Sequence, residues 1–416
     1  MPTAIVLGSG LVGAVMAADL AADADYRVTI ADARPDALER AQRWAAGRLR
    51  TVVADLSDAA AVARLAGEHD VALGALASRL GLRTLRAVIE AGRPYCDISF
   101  MPEDALDLDD AAKARGVPAV VDCGVAPGMS NLLAAFEAGR LDECERIDIL
   151  VGGLPRERRW PFEYKAGFSP HDVIEEYTRP ARFVERGEVV VREALSEPEL
   201  IDFDGVGTLE AFNTDGLRSL ARTMTVPNMK ERTLRYPGHI ELMRVFRETG
   251  LFGHDPIDAG GVKVRPIDVI SALMFPMWSY GPGEADLTVM RITVEGVRGG
   301  RRERRVWDLL DHLDPATGWT SMARTTAFPC TAVARMLASG RITTPGVLPP
   351  ERLAGDEALV RELLAEQEKR GVRYRHRVEA ACSDPPRGDS PQRHRGHRDD
   401  IQHQPQMNTD GHRWRD

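Results

Sequence analysis

Gly8-Ser9-Gly10-Leu11-Val12-Gly13 is a complete G-x-G-x-x-G, a pattern that lets backbone N–H groups close on a pyrophosphate. Three glycines alone are a weak signal. Here they follow the apolar run Ala4–Leu7 and open a helical pattern reaching to Ala21, which is the context such chemistry needs. Gly8 then permits the tight turn, Gly10 admits the phosphates, and Gly13 lets the helix lie close to the sheet; the phosphates face the positive end of the helix dipole. Asp32 ends the next strand-like run, ~20 residues on, where a carboxylate accepts from the adenosine ribose. Its competing reading is a helix cap ahead of Pro35. A carboxylate there repels a 2′-phosphate and predicts NAD over NADP, whereas Arg34 is able to pair with that phosphate. Asp55 and Leu56, after the third run, are expected beside the adenine, with an Asp55 cap next to Ser57 as the alternative.

The elements that must hold these residues alternate regularly. Strand-like runs at Ala4–Leu7, Arg27–Ala31, Thr51–Ala54, Val71–Ala75, Tyr95–Ile98 and Ala119–Asp122 alternate with helical patterns such as Pro35–Ala46, Ala59–His69 and Leu82–Ala91. That predicts parallel βαβ units, hence an α/β fold with a Rossmann-type doubly wound parallel sheet. Ala75, Leu76 and Ser99 lie at or just past strand ends, where open α/β sheets bind ligands, and are expected at the cofactor. Asp97 and Asp122 share that position. After Pro127-Gly128 and a helix at Ser130–Ala138, longer runs at Ile147–Val151, Arg182–Val191, Asp286–Gly296 and Arg301–Trp307 alternate apolar and polar residues. They predict a second, α+β domain with a largely antiparallel sheet, with Gly299-Gly300 turning between the last two runs. The expected division is 1–125, 126–315, a C-terminal segment 316–378 packing back on the first domain, and a disordered tail 379–416 dominated by Pro, Gly, Arg, His and Gln.

At 416 residues the chain is long enough for two cores, and 63 acidic against 54 basic residues give a net charge of −9. That acidity argues against nucleic-acid and anionic-membrane partners. The five cysteines (Cys96, Cys123, Cys144, Cys330, Cys382) form no C-x-x-C pair, so neither a disulfide framework nor a zinc site is expected. Met1–Val6 runs straight into the glycine loop without a signal-peptide pattern, and no apolar stretch is long enough to span a bilayer; a cytoplasmic protein is the expectation. The tail histidines, including His394 and His397, read as a solvated low-complexity segment rather than a metal site. No tyrosine precedes a lysine by four residues, as short-chain dehydrogenases require, and no G-x-S-x-G marks a hydrolase.

Further motifs carry a resemblance. They are Gly92-Arg-Pro-Tyr-Cys-Asp97-Ile-Ser99, Asp122-Cys-Gly-Val-Ala-Pro-Gly-Met-Ser-Asn131, Tyr164-Lys165, Phe168-Ser-Pro170, Glu176-Tyr-Thr-Arg-Pro-Ala181, Gly207-Thr-Leu-Glu-Ala-Phe-Asn-Thr-Asp-Gly216, Thr233-Leu-Arg-Tyr-Pro-Gly-His239 and Thr320-Ser-Met-Ala-Arg-Thr-Thr326. On these the chain, over residues 1–375, resembles the saccharopine dehydrogenase-like (saccharopine reductase) family, and within it the bacterial lysine 6-dehydrogenases. Where relatives often carry a proline-containing loop after the fourth strand, this chain reads Ala75-Leu-Ala-Ser78. The resemblance implies a small-molecule amino-acid substrate, a homodimer or higher homo-oligomer, and oxidation of L-lysine at its ε-carbon with release of ammonia.

Such a substrate needs a cation for its carboxylate, acceptors for its α-ammonium, and a group that leaves the ε-amine neutral. Arg235 suits the carboxylate by bidentate pairing, or is a surface arginine near a turn. Asn213, Thr214 and Asp122 are candidates for the substrate's polar groups; an Asx turn explains the 213–215 segment equally. Asp97, Tyr164, Lys165 and His239 are candidates for proton management; the competing reading of His239 is a structural cap on the helix that starts near Ile240. Saccharopine carries two more carboxylates, for which Arg218, Lys230 and Arg232 are available. A catalytically silent NAD(H)-binding protein is the alternative of a different class.

Overall fold

The computed structural model describes residues 1–380. Each apolar run of the first third forms a short strand: β1 (Thr3–Leu7), β2 (Arg27–Asp32), β3 (Leu49–Val53), β4 (Val71–Gly74), β5 (Tyr95–Asp97) and β6 (Pro118–Val120). They lie side by side in the order β6-β5-β4-β1-β2-β3, every pair parallel. Helices cover both faces, so β4 and all of β1 past Thr3 are apolar: Ala4 and Val6 pack to one side, Ile5 and Leu7 to the other. The strand order reverses at β1 and β4, and their carboxyl ends therefore part to leave a crevice.

The second sheet is assembled from β7 (Glu143–Pro155), β8 (Ala181–Glu185), β9 (Glu188–Arg192), β10 (Glu199–Phe203), β11 (Gly207–Asn213) and β12 (Met229–Arg235). A separate hairpin follows, β13 (Ile257–Ala259) with β14 (Val262–Val264), and then β15 (Asp286–Arg298) and β16 (Arg301–His312). Two late strands complete the set, β17 (Gly346–Leu348) and β18 (Tyr374–Ala380). The nine-stranded sheet runs β10-β11-β12-β7-β15-β16-β18, with β8 and β9 hung from β12. It is antiparallel except for β12 beside β7. Gly299 and Gly300, both with positive φ, make the two-residue turn between β15 and β16. The run expected as one strand at Arg182–Val191 is two, because Arg186 and Gly187 take φ of 54° and 85° and reverse the chain between β8 and β9.

The C-terminal segment ties the two sheets together. Helix Ser321–Ala338 packs along helix Leu11–Ala22, where the buried Asp19 carboxylate accepts from Thr331 Oγ1 (2.6 Å), Arg335 Nη1 (2.9 Å) and Arg370 Nε (2.6 Å). β17 extends the parallel sheet beside β6, and β18 pairs with β16 in the other sheet. The segment thus returns to the first domain and also closes the second, and its last strand runs to Ala380. The tail that composition marks, with His394 and His397, lies outside the described residues from 381 onward. No helix among the described residues is long and apolar enough to cross a membrane.

Candidate active site

A cleft of about 820 Å³ opens at the carboxyl ends of β1, β2 and β4 and continues to the polar face of β12. At its first end Gly8, Gly10, Leu11, Val12 and Gly13 form the rim. A Cβ on Gly13 would overlap the Gly8 carbonyl and crowd Ala75, whereas one on Gly10 would meet nothing within 4 Å. Gly13 is therefore required for helix and loop to touch, and Gly10 faces open space. Helix Leu11–Ala22 has no side-chain cap and no acidic residue in its first turn, so its leading N–H groups face the cleft uncompensated. Loop and helix fit a dinucleotide pyrophosphate.

Asp32 also lines this end and is fixed by the loop itself: Ser9 N–H donates to Oδ2 (2.7 Å) and Arg34 N–H to Oδ1 (2.9 Å). Ser9 is buried away from the cleft wall, its hydroxyl donating to Ala37 O (2.8 Å). The exposed Arg34 guanidinium pairs with Asp32 at 3.3 Å. Arg40, which sequence reasoning missed, lines the same end and donates to Ser9 O (2.8 Å). Asp55 and Leu56 sit on the wall as well; Asp55 accepts from the hydroxyl and N–H of Ser57, which hold its carboxyl below the usual range. Ala75 and Leu76 continue the wall toward Gly124–Pro127.

The far end is made of side chains. Residues 231, 233 and 235 of β12 alternate onto the cleft, as a strand's period of two requires, while Lys230 and Arg232 on the other face pair with Glu185, Glu197 and Glu199. Arg235 is almost fully buried. It donates through Nη2 to Glu176 (2.6 Å), through Nη1 to Leu234 O (3.0 Å) and through Nε to Tyr177 Oη (3.3 Å), and it lies 4.4 Å from the Tyr164 ring centre. Burial opposes its charge, but Tyr177, Tyr164 and Glu176 more than offset that, and it stays cationic. A guanidinium has five N–H donors; three are engaged, which leaves two for a ligand. Glu176 and Asp172 come from helix Pro170–Thr178, started by a Ser169 cap, and burial raises both carboxyls. Asp172 also accepts from Ser78 Oγ of the first domain at 2.7 Å. Glu231, buried at the foot of the wall, accepts from Thr214 Oγ1 (2.9 Å) and is pushed up to about 8, mainly by burial.

Of the residues singled out for substrate chemistry, the cleft brings together Tyr164, Thr214 and Arg235. The others lie off its wall. His239 starts helix His239–Glu248 behind Tyr177: its Nε2 faces Tyr177 Oη (2.9 Å) and its Nδ1 faces Phe162 O (2.8 Å). Burial and the Arg235 charge lower it to about 3, so it is a neutral strut for the tyrosine. Lys165 points outward to Glu284 (2.6 Å) and Ser279 O (2.7 Å). Asn213 turns to Ser196 Oγ (2.9 Å), and Asp122 is consumed in a buried pair with Arg218 (3.2 Å). Asp97 is wholly buried beneath the crevice, raised to about 7 by that burial, with Ser99 N–H and O–H on its Oδ1 (3.0 and 2.8 Å). Asp97 and Asp122 sit at or just past strand ends as expected, but their carboxyls are engaged by Ser99 and Arg218 and do not line the cleft. Asp172, Glu176 and Glu231 were missed; the signal for Glu231 was the polar alternation Glu231-x-Thr233-x-Arg235 in a strand too charged to be recognised as central.

A parallel sheet with a glycine cradle, joined to a buried polar wall, defines an NAD(P)-dependent oxidoreductase, here one acting on CH–NH groups. Residues 4–120 match the saccharopine dehydrogenase NADP binding domain and residues 124–372 the saccharopine dehydrogenase C-terminal domain, so the chain belongs to the saccharopine dehydrogenase family. It is similar to the saccharopine dehydrogenase [NADP(+), L-glutamate-forming] of Schizosaccharomyces pombe, with 22% identity over 91% of this chain and 99% of that one. It is also similar to the carboxyaminopropylagmatine dehydrogenase of Synechocystis, at 22% identity over 87% of this chain and 95% of that one. Among solved structures, apo saccharopine dehydrogenase (L-Glu forming) from Saccharomyces cerevisiae shares the fold, with a TM-score of 0.74 at 18% identity over 91% of this chain and all of the other.

Proposed function

We propose that the protein oxidises L-lysine at its ε-carbon with NAD, giving the aldehyde (which cyclises to piperideine-6-carboxylate), ammonia and NADH. One observation carries this reading: among the described residues, the only buried cation on the substrate wall is Arg235, set against the three acidic side chains Asp172, Glu176 and Glu231. Arg235 and Glu176 already balance each other. A substrate with one carboxylate and two amines brings a net positive charge, which Asp172 and Glu231, both raised by burial, complement by giving up their protons as it binds. Saccharopine brings three carboxylates. The cations once available for them, Arg218, Lys230 and Arg232, are all paired off the cleft, and among the described residues the other arginines that line it are Arg34 and Arg40 beside the glycine loop and the exposed Arg79.

Bound NAD would supply the hydride acceptor; Asp32 supports NAD over NADP, because its carboxylate would accept from the ribose hydroxyls and is paired with Arg34. The protein's own groups orient the substrate. Arg235 holds the carboxylate, and Tyr164 and Thr214 line the path between the ends. A carboxylated polyamine is the second reading, favoured by the same charge count and by the likeness to the carboxyaminopropylagmatine dehydrogenase and to the carboxynorspermidine synthase of Vibrio cholerae (24% identity over 60% of this chain).

The test is NADH appearance at 340 nm with L-lysine, L-ornithine, saccharopine and a carboxylated polyamine, each with NAD and NADP. Turnover with lysine and NAD, with ammonia released in equal amount, is expected. Turnover confined to saccharopine would overturn the charge argument, and turnover confined to the polyamine would move the protein to the second reading.

A further inference from the structure

We propose that Glu231 is a catalytic residue: its carboxylate binds the reacting ammonium of the substrate and accepts its proton before hydride departs. The inference deepens the amine-oxidising reading above and rests on it.

Three features set this carboxyl apart. It lines the cleft, yet it is only 4% exposed and, among the described residues, forms no ion pair; the Thr214 hydroxyl is its hydrogen-bond donor. An unpaired buried carboxyl is costly unless function requires it. The fold also makes room for it: a Cβ on Gly216 would collide with Oε2 and Cδ of Glu231, so glycine is the residue that lets the carboxyl stand here. Finally, Glu231 and Arg235 share one face of β12, four residues apart. Both therefore line the same cleft from one strand, the carboxyl and the guanidinium at separate points along it.

The chemistry balances. The Glu231 carboxylate takes one proton from R–CH2–NH3⁺, leaving the neutral amine. The ε-carbon loses hydride with its electron pair to NAD⁺ as the nitrogen lone pair closes the C=N bond, giving the iminium. Water adds to that carbon, the C–N bond breaks, and aldehyde and ammonium leave, with one proton net to solvent. A carboxyl raised by burial is matched to this exchange, since a free carboxylate is too weak a base to deprotonate an ammonium.

The closing experiment compares wild type with Glu231→Gln, which keeps shape and the acceptor for Thr214. On whichever amine the wild type oxidises, kcat should rise with pH to a limb near 8. The variant should lose that limb and at least 30-fold in kcat, with NADH affinity, read by fluorescence, within twofold. A variant that keeps the limb and falls less than threefold overturns the assignment, whatever the substrate. A wild type that oxidises something other than lysine corrects the substrate and leaves the Glu231 assignment to the same comparison. A measurement without substrate keeps the question decidable: ¹³C NMR of carboxyl-labelled protein should show one resonance titrating near pH 8 that Glu231→Gln removes. Its absence overturns the proposal.

Discussion

The two ends of the cleft are built from different material. At the cofactor end the working groups are backbone N–H donors of one contiguous loop and helix, made available by the absence of side chains at Gly8, Gly10 and Gly13. At the substrate end they are buried side chains gathered from the segment carrying Tyr164, helix Pro170–Thr178, Thr214 and β12, with Arg235 held by Glu176 and Glu231 held by the Thr214 hydroxyl. The first end reads the phosphates through backbone donors, with Asp32 as its one selective side chain. Selectivity at the second comes from charge matching in a place where an unmatched charge is expensive. Substitutions outside the glycines and Asp32 should therefore be tolerated better at the first end than at the second.

Arg235→Met tests that contrast most severely. It removes a buried cation, leaves Glu176 unpaired, and takes away two donors for the substrate carboxylate. Truncating one partner of such a pair costs about 2–5 kcal/mol, so kcat/KM should fall by roughly 100-fold or more while NADH affinity changes less than twofold. Adding Glu176→Gln should restore thermal stability and not turnover. If NADH affinity falls in step with kcat/KM, the two ends are not independent and the comparison breaks.

The same contrast decides what could be read in advance. The parallel sheet, the loop and Asp32 were legible because each depends on residues adjacent in sequence: an apolar run, three glycines and a strand end. The second sheet was legible as antiparallel from β15 and β16, with their Gly299-Gly300 turn. β12, which carries Arg235, and β11, which ends at Asn213 just before Thr214, were not, because Met229-Lys-Glu-Arg-Thr-Leu-Arg235 lacks the aliphatic content of a central strand. Its polar residues are tolerated inside because Glu176 and Thr214, distant in sequence, meet them. His239 and Asp122 illustrate the converse: residue type suggested chemistry, and only the partners Tyr177 and Arg218 show that their groups are engaged in holding the fold.

Asp32→Ala sharpens the cofactor side, with a smaller effect. The variant loses the ribose acceptor and also the acceptor of Ser9 N–H, so part of the loss falls on both cofactors. A hydrogen bond to a charged group is worth ~1.5–3 kcal/mol, and NAD affinity should drop about tenfold more than NADP affinity in equilibrium titrations. Equal losses would mean that Asp32 serves the loop alone.

The smallest effect expected concerns stability. Burial pushes Glu231 up to about 8 in the folded protein, against about 4.5 for a free glutamate. The folded state therefore holds more protons than the unfolded one between those values, and stability falls as pH rises through that window. Below about pH 4.5 the group is neutral in both states and contributes nothing. Glu231→Gln, neutral throughout, should match wild type near pH 4.5 and exceed it above pH 8, by about 2–4 °C in Tm. The gain should be lost again when Thr214→Val removes the hydroxyl facing the amide. A variant that is no more stable at pH 9 than wild type would mean that the carboxylate is already well solvated in the folded state. The substrate end would then resemble the cofactor end, a surface open to water, and not a wall that works by withholding it.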